Sequence, residues 1–182
     1  MPRLDKGWEM HIIREEVQRN GDDERTVGYY RVYHDGVPQN GSDMSGMVAE
    51  AKGPGANSPA NNGRRIKAGN YPVRTQNGTV YVTWNYDESE SRDAKPKPGF
   101  ELRNTGERSE ILIHPGQDFL RSVGCINPCT SLPNGDEMIT YASSRRRVIA
   151  LIEDMKSYIG EGFPKRNGQR ISGALVVIDG EP

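Results

Sequence analysis

Two side chains of this sequence have the types and the spacing for covalent chemistry. His114 ends a short apolar run, Glu110-Ile111-Leu112-Ile113, and Cys125 follows Gly124 further along the chain. A thiol attacks as its thiolate, and a free cysteine ionises only near pH ~8.5, so it needs a base or a cation close by. An imidazole within hydrogen-bond reach supplies that function. Gly124 lacks a Cβ, which lets the chain turn sharply and aim backbone N–H groups at an oxyanion. Ser122 carries a hydroxyl that can orient the imidazole or line the same hole. Two other readings use the same residues. Cys125 can be an inert buried thiol, because free cysteine is among the most buried residue types. Cys125, Cys129 and His114 can also be three zinc ligands, with His11, His34 or Asp118 as the fourth, although no familiar zinc spacing is present. The reading adopted has no metal and no cofactor. Cys129 is read as structural, and Asp118 and Arg121 as solvated loop residues.

The elements that must position these groups are mostly strands. The 182 residues include 21 Gly and 12 Pro, a load that argues against a helix bundle and for short elements joined by turns. Residues 9–19 and 26–33 read as strands around the Asn20-Gly21 turn, and 47–52 as a third. Residues 53–63 are a long loop rich in Gly, Pro and Asn, followed by a hairpin through 71–84 and a charged excursion over 86–99. Residues 110–114 read as a buried strand and 174–178 as the last one. One helix is expected, capped by Ser143 or Ser144, with Val148, Leu151, Ile152, Met155, Tyr158 and Ile159 on one face. Arg145-Arg146-Arg147 at its start reads as a solvated face. The expected fold is mainly β with one packed C-terminal helix, in a single domain spanning 1–182 with tails at 1–8 and 179–182.

A net charge of −1 offers no wholesale attraction to nucleic acid, and no apolar stretch reaches the roughly 20 residues of a membrane span. Two cysteines four positions apart are no disulfide framework. The N-terminus contains no apolar secretion signal, so the expected site of synthesis is the cytoplasm.

The run Ile113-His114, then Ser122-Val123-Gly124-Cys125-Ile126, resembles the catalytic motif of L,D-transpeptidases of the YkuD type, which carry an upstream His and a Ser-His-Gly-Cys block. Arg65-Ile66-Lys67-Ala68-Gly69-Asn70-Tyr71-Pro72-Val73, Pro98-Gly99-Phe100 and Ile111–Gly116 extend the likeness to the DUF5675 type of bacterial and phage proteins. It covers roughly residues 10–160. The resemblance implies a YkuD-like β-sandwich or barrel. It implies a cysteine acyl-transferase acting on peptidoglycan stem peptides, as an L,D-transpeptidase or L,D-carboxypeptidase. Cys125 would be the nucleophile and His114 the base, with Ser122 in support. Gly124 would help form the oxyanion hole. Asn127, Gly116 and Tyr71 are the candidate substrate-binding residues. Val123 replaces the second histidine of the usual block, and Asn127 replaces a common arginine. These departures keep open a non-catalytic module of a virion or secretion apparatus. Action on the wall implies delivery to the periplasm by a phage or contact-dependent apparatus, with an immunity protein as a possible partner.

Overall fold

The computed structural model describes residues 6–120 and 122–182, so Arg121 lies outside the described residues. Two long strands dominate. β1 (Trp8–Asn20) and β2 (Asp23–His34) pair antiparallel across the expected turn, where Gly21 adopts a φ of +58°. They are followed by β3 (Val37–Pro38), β4 (Ser45–Ala51), β5 (Gly69–Thr75), β6 (Tyr81–Val82), β7 (Lys97–Pro98), β8 (Phe100–Leu102), β9 (Leu112–Ile113) and β10 (Asn127–Cys129). The helix α1 (Tyr141–Ile159), a short 3-10 turn and β11 (Arg170–Asp179) complete the chain. The mainly-β fold with one C-terminal helix is thus as expected.

The main sheet runs β10-β4-β2-β1-β11-β5-β8-β9, with β3 attached to β2. Its two edges then meet. Ile113 and Ile126 form a parallel bridge, supported by Ile126 N–H to the Leu112 carbonyl at 2.8 Å and His114 N–H to the Ile126 carbonyl at 3.2 Å. The sheet therefore nearly closes into a barrel, and this seam holds both candidate catalytic side chains. Closure also removes an exposed pair of edges that would otherwise invite association.

Strand alternation decides what lies inside. Trp8, Met10 and Ile12, Tyr30 and Val32, Val48, Tyr71 and Val73, Phe100 and Leu102, and Val176 and Ile178 share one core with Val148, Leu151, Ile152 and Met155 of α1. A smaller core on the outer side joins Val27, Met47, Ala49 and Cys129 to Leu132 and Ile139 of the loop after β10.

Three expectations change. The tails do not hold at their inner ends. Trp8 is fully buried, with its indole Nε1–H donating to Asp154 at 2.7 Å, while Glu181 receives Arg65 at 2.9 Å and Arg14 at 3.1 Å. An aromatic with a partnered N–H is worth burying, and two interior guanidinium groups need the carboxylate. The helix begins at Tyr141 after Thr140, and neither serine caps it. Ser144 instead accepts from Gly116 N–H at 2.8 Å and donates to the Pro128 carbonyl, tying the helix to the seam loop. Of the three helix arginines only Arg146 is exposed. Arg145 donates to the Asp87 carbonyl at 2.7 Å, and Arg147 to the Tyr30 hydroxyl at 2.9 Å and the Ser45 carbonyl at 2.6 Å. No helix of the described residues is long and apolar enough to cross a membrane.

Candidate active site

The seam register builds the site. Ile113 and Ile126 point into the main core, so their neighbours Leu112, His114, Cys125 and Asn127 fall on the opposite face of the same ladder. Leu112 stands beside Cys125, and His114 beside Asn127. Cys125 and His114 thus occupy diagonal positions on one face.

Cys125 sits at the junction of two depressions. One, of about 320 Å³, is walled by Ala60 and Asn61 of the long loop, by Arg108, Ser109 and Glu110, and by Val123. The other, of about 290 Å³, lies under Gly78–Tyr81 and Leu112. Cys125 and Glu110 belong to both. The loop rich in Gly, Pro and Asn therefore forms one bank of a groove that passes over the sulfur.

The thiol accepts from Leu112 N–H at 3.4 Å and donates to the Glu110 carbonyl at 3.5 Å. Glu110 reaches this position through a left-handed backbone, φ +55°. Burial pushes the Cys125 thiol up from its ordinary value, against the smaller lowering effects of Leu112 N–H, the Ser122 hydroxyl and the Arg108 charge. His114 is buried too. Its Nδ1 lies 2.9 Å from the Pro115 carbonyl. A carbonyl only accepts, so Nδ1 carries the proton and Nε2 the lone pair. Burial lowers the ring's pKa to about 4, which keeps it neutral at physiological pH. Tyr81 stacks on the ring at 4.3 Å between centroids, and Asn127 Nδ2 donates to the His114 carbonyl at 3.0 Å. Among the described residues no hydrogen bond joins the thiol to the ring. Burial thus disfavours the charged form of each group, the thiolate and the imidazolium alike. The physical reason is the desolvation of both groups at the seam.

The other expected site residues separate into two sets. Ser122 and Gly124 shape the turn. Ser122 Oγ donates to the Cys125 carbonyl at 2.8 Å and accepts from Gly124 N–H at 3.3 Å, so its hydroxyl is committed to backbone rather than to the imidazole. Gly124 has a φ of +132°, and a Cβ there would lie 1.8 Å from Arg108 Nη2. Gly116, Tyr71 and Asn127 line neither depression at the thiol. A Cβ on Gly116 would meet the Asn127 side chain at 2.6 Å, so its role is close packing. Tyr71 is buried, donating from its hydroxyl to the Lys67 carbonyl at 2.6 Å. Asn127 braces His114 from the neighbouring position of the ladder.

Arg108 is the residue that sequence reading missed. It is only 6% exposed, lies among the residues walling the first depression, and has no carboxylate partner among the described residues. Its Nη1 donates to the Ala56 carbonyl at 3.0 Å and its Nη2 to the Val123 carbonyl at 3.0 Å. It therefore pins the long loop to the Val123-Gly124 turn and holds an uncompensated positive charge near the sulfur. A buried charge is normally paired, so this one offers a place for an anionic group of a ligand. The charge in Arg103-Asn104-Thr105-Gly106-Glu107-Arg108 was the only hint of it in the sequence.

His11 and His34 lie elsewhere, facing Asp179 and Asp154 at 2.7 Å each. Cys129 is sealed in the outer core, where burial pushes its thiol up to about 12. Among the described residues no group of three or more His, Cys, Asp or Glu could hold a metal ion.

Gly124→Ala is expected to destabilise the protein by roughly 2–3 kcal/mol, because the substitution combines a strained backbone with a clash against Arg108. Urea unfolding checks the loss. Alkylation of Cys125 in the variant, below its unfolding midpoint, should show the thiol exposed once the turn opens.

Comparison of the chain with family models, with curated proteins and with solved structures finds no match.

Proposed function

We propose that this protein is a cysteine acyl-transferase acting on peptidoglycan stem peptides, as an L,D-transpeptidase or L,D-carboxypeptidase. The reading rests on the resemblance around His114 and Ser122–Ile126. The single observation that favours it is the placement of Cys125 at the floor of a two-sided groove, on the same ladder face as His114. A stem peptide lying across the groove would present a carbonyl to the sulfur. Its free carboxylate would neutralise the guanidinium of Arg108.

In the first step Sγ bonds to the carbonyl carbon of the third stem residue and the thiol proton passes to His114 Nε2. The C–N bond to the terminal D-alanine then breaks, and the amine leaves with that proton. This gives a thioester. In the second step an amine of another stem, or water, adds to the thioester carbon and gives a proton to His114 Nε2, the C–S bond breaks, and the thiolate takes that proton back. Peptide entry displaces water from the site and draws the two groups together, which suits a pair that is neutral at rest. In this reading the protein works on the wall from the periplasm, with a phage particle or a contact-dependent apparatus as its carrier and an immunity protein guarding the producer.

A second reading is favoured by the raised thiol and by the absence of a thiol–imidazole hydrogen bond among the described residues. In it the chain is a structural or binding module that retains the fold. One experiment separates the two. The protein is incubated with disaccharide-tetrapeptide and its intact mass is followed. An adduct of the disaccharide-tripeptide acyl group, with release of D-alanine, is expected. An unmodified protein and intact muropeptide after prolonged incubation select the module.

A further inference from the structure

A second site lies on the outer wall of the barrel. The register Arg170↔Arg74 sets two arginines directly opposite each other on β11 and β5, and Arg74↔Glu101 sets the next residue on β8. Arg103 follows Glu101 by two, so alternation returns it to the same face, and its N–H donates to the Pro72 carbonyl at 2.7 Å. The inward neighbours Val73, Ile171 and Leu102 belong to the main core, so this row of charge faces outward.

Like charges directly opposite on a sheet destabilise it. Only one of the three is neutralised. Arg74 Nε binds Glu101 at 2.5 Å, and Glu101 is itself buried beneath the row. Arg103 and Arg170 are exposed and have no carboxylate partner among the described residues. Between them the surface sinks into a cavity of about 330 Å³, walled by the three arginines with Pro72, Asn104 and Gly168, and among the described residues no acidic side chain lines it. It shares no residue with the depressions at Cys125.

The geometry points to a binding site for a phosphomonoester, its phosphate held between Arg103 and Arg170 and backed by Arg74. Three arginines walling one cavity, from β5, from β11 and from the residue after β8, offer guanidinium forks to the oxygens of a tetrahedral dianion, which planar recognition by Arg favours. Arg74 is held in place by Glu101, so at least one of the three donors is ordered before the ligand arrives. The cavity is larger than a lone phosphate, and its Pro72, Asn104 and Gly168 walls leave space for an attached organic group. The ligand relieves the repulsion that the register imposes. This inference is independent of the chemistry proposed for Cys125.

Titration calorimetry and two-dimensional amide NMR test it with the whole chain at fixed ionic strength. The probes are glycerol 3-phosphate, inorganic phosphate and sodium chloride. Saturable binding of glycerol 3-phosphate with shifts centred on Arg74, Arg103 and Arg170 is expected, with affinity falling at least tenfold in the Arg103→Gln/Arg170→Gln variant. The exposed single variant Arg103→Gln, whose melting is compared with the parent, serves if the double variant folds poorly. Tighter binding of glycerol 3-phosphate than of inorganic phosphate supports a phosphomonoester. Equal or tighter binding of inorganic phosphate refutes the ester and leaves the free ion as ligand. Shifts matched by chloride, or binding unchanged in the variants, overturn the site altogether.

Discussion

Cys125→Ala is expected to lower D-alanine release from a stem tetrapeptide by on the order of 10⁴-fold or more, the scale on which removing a covalent nucleophile acts. The acyl adduct on the protein should vanish with it. Cys129→Ala should change turnover little, because that thiol is enclosed in the outer core. The free protein should show a characteristic pH profile. Burial holds the Cys125 thiol above its ordinary value, and burial also holds His114 neutral down to about 4. Between these limits neither group changes charge. Alkylation by iodoacetamide should therefore be slow at pH 7 and climb about tenfold per pH unit into the alkaline range, in step with the thiolate fraction. Arg108→Gln removes a cation that favours the thiolate, so the rise should move to higher pH still. A rate that is already flat from pH 5 to 8 would reveal a thiolate–imidazolium pair and refute this account of the resting site.

Glu50→Ala is expected to cost about 3–5 kcal/mol of folding stability, as removal of one partner from a buried ion pair does. Arg14 and Glu50 meet inside the barrel through two parallel bonds, Nε to Oε2 and Nη2 to Oε1, both 2.8 Å. The remaining Arg14 donors reach the Ile66 carbonyl at 2.8 Å and Glu181 at 3.1 Å. Without Glu50 the guanidinium stays buried with only the half-exposed Glu181 carboxylate to answer it. Chemical denaturation measures the loss. Replacing both residues together, Arg14→Met with Glu50→Leu, should recover most of it, since an apolar pair carries no desolvation penalty. A single variant as stable as the parent would mean that Glu181 alone neutralises Arg14.

Local rules account for the parts of this fold that were legible in advance. The Asn20-Gly21 turn joins two β-branched and aromatic segments, and nothing distant is needed to pair them. The helix stripe follows from a 3.6-residue period that survives three arginines at its start. The charged stretch 86–99 was harder. β7 inside it pairs with β6, and Arg92 reaches Asp118 at 2.8 Å, contacts made by residues far apart in the chain. Capping failed as a guide because Ser144 Oγ accepts from the distant Gly116 N–H rather than from an N–H of the helix.

The sequence by itself determined that a buried strand ends at His114, and that the glycine before Cys125 gives the chain freedom to turn there. Tertiary structure alone decided that the first and last edges of the sheet meet at these residues, and that Arg108 arrives from another loop with no acid to match it among the described residues. It also decided how much water remains around the thiol and the ring. Those outcomes depend on strand order and burial, which are sums over the whole chain, whereas alternation and turn chemistry are fixed by a few adjacent residues.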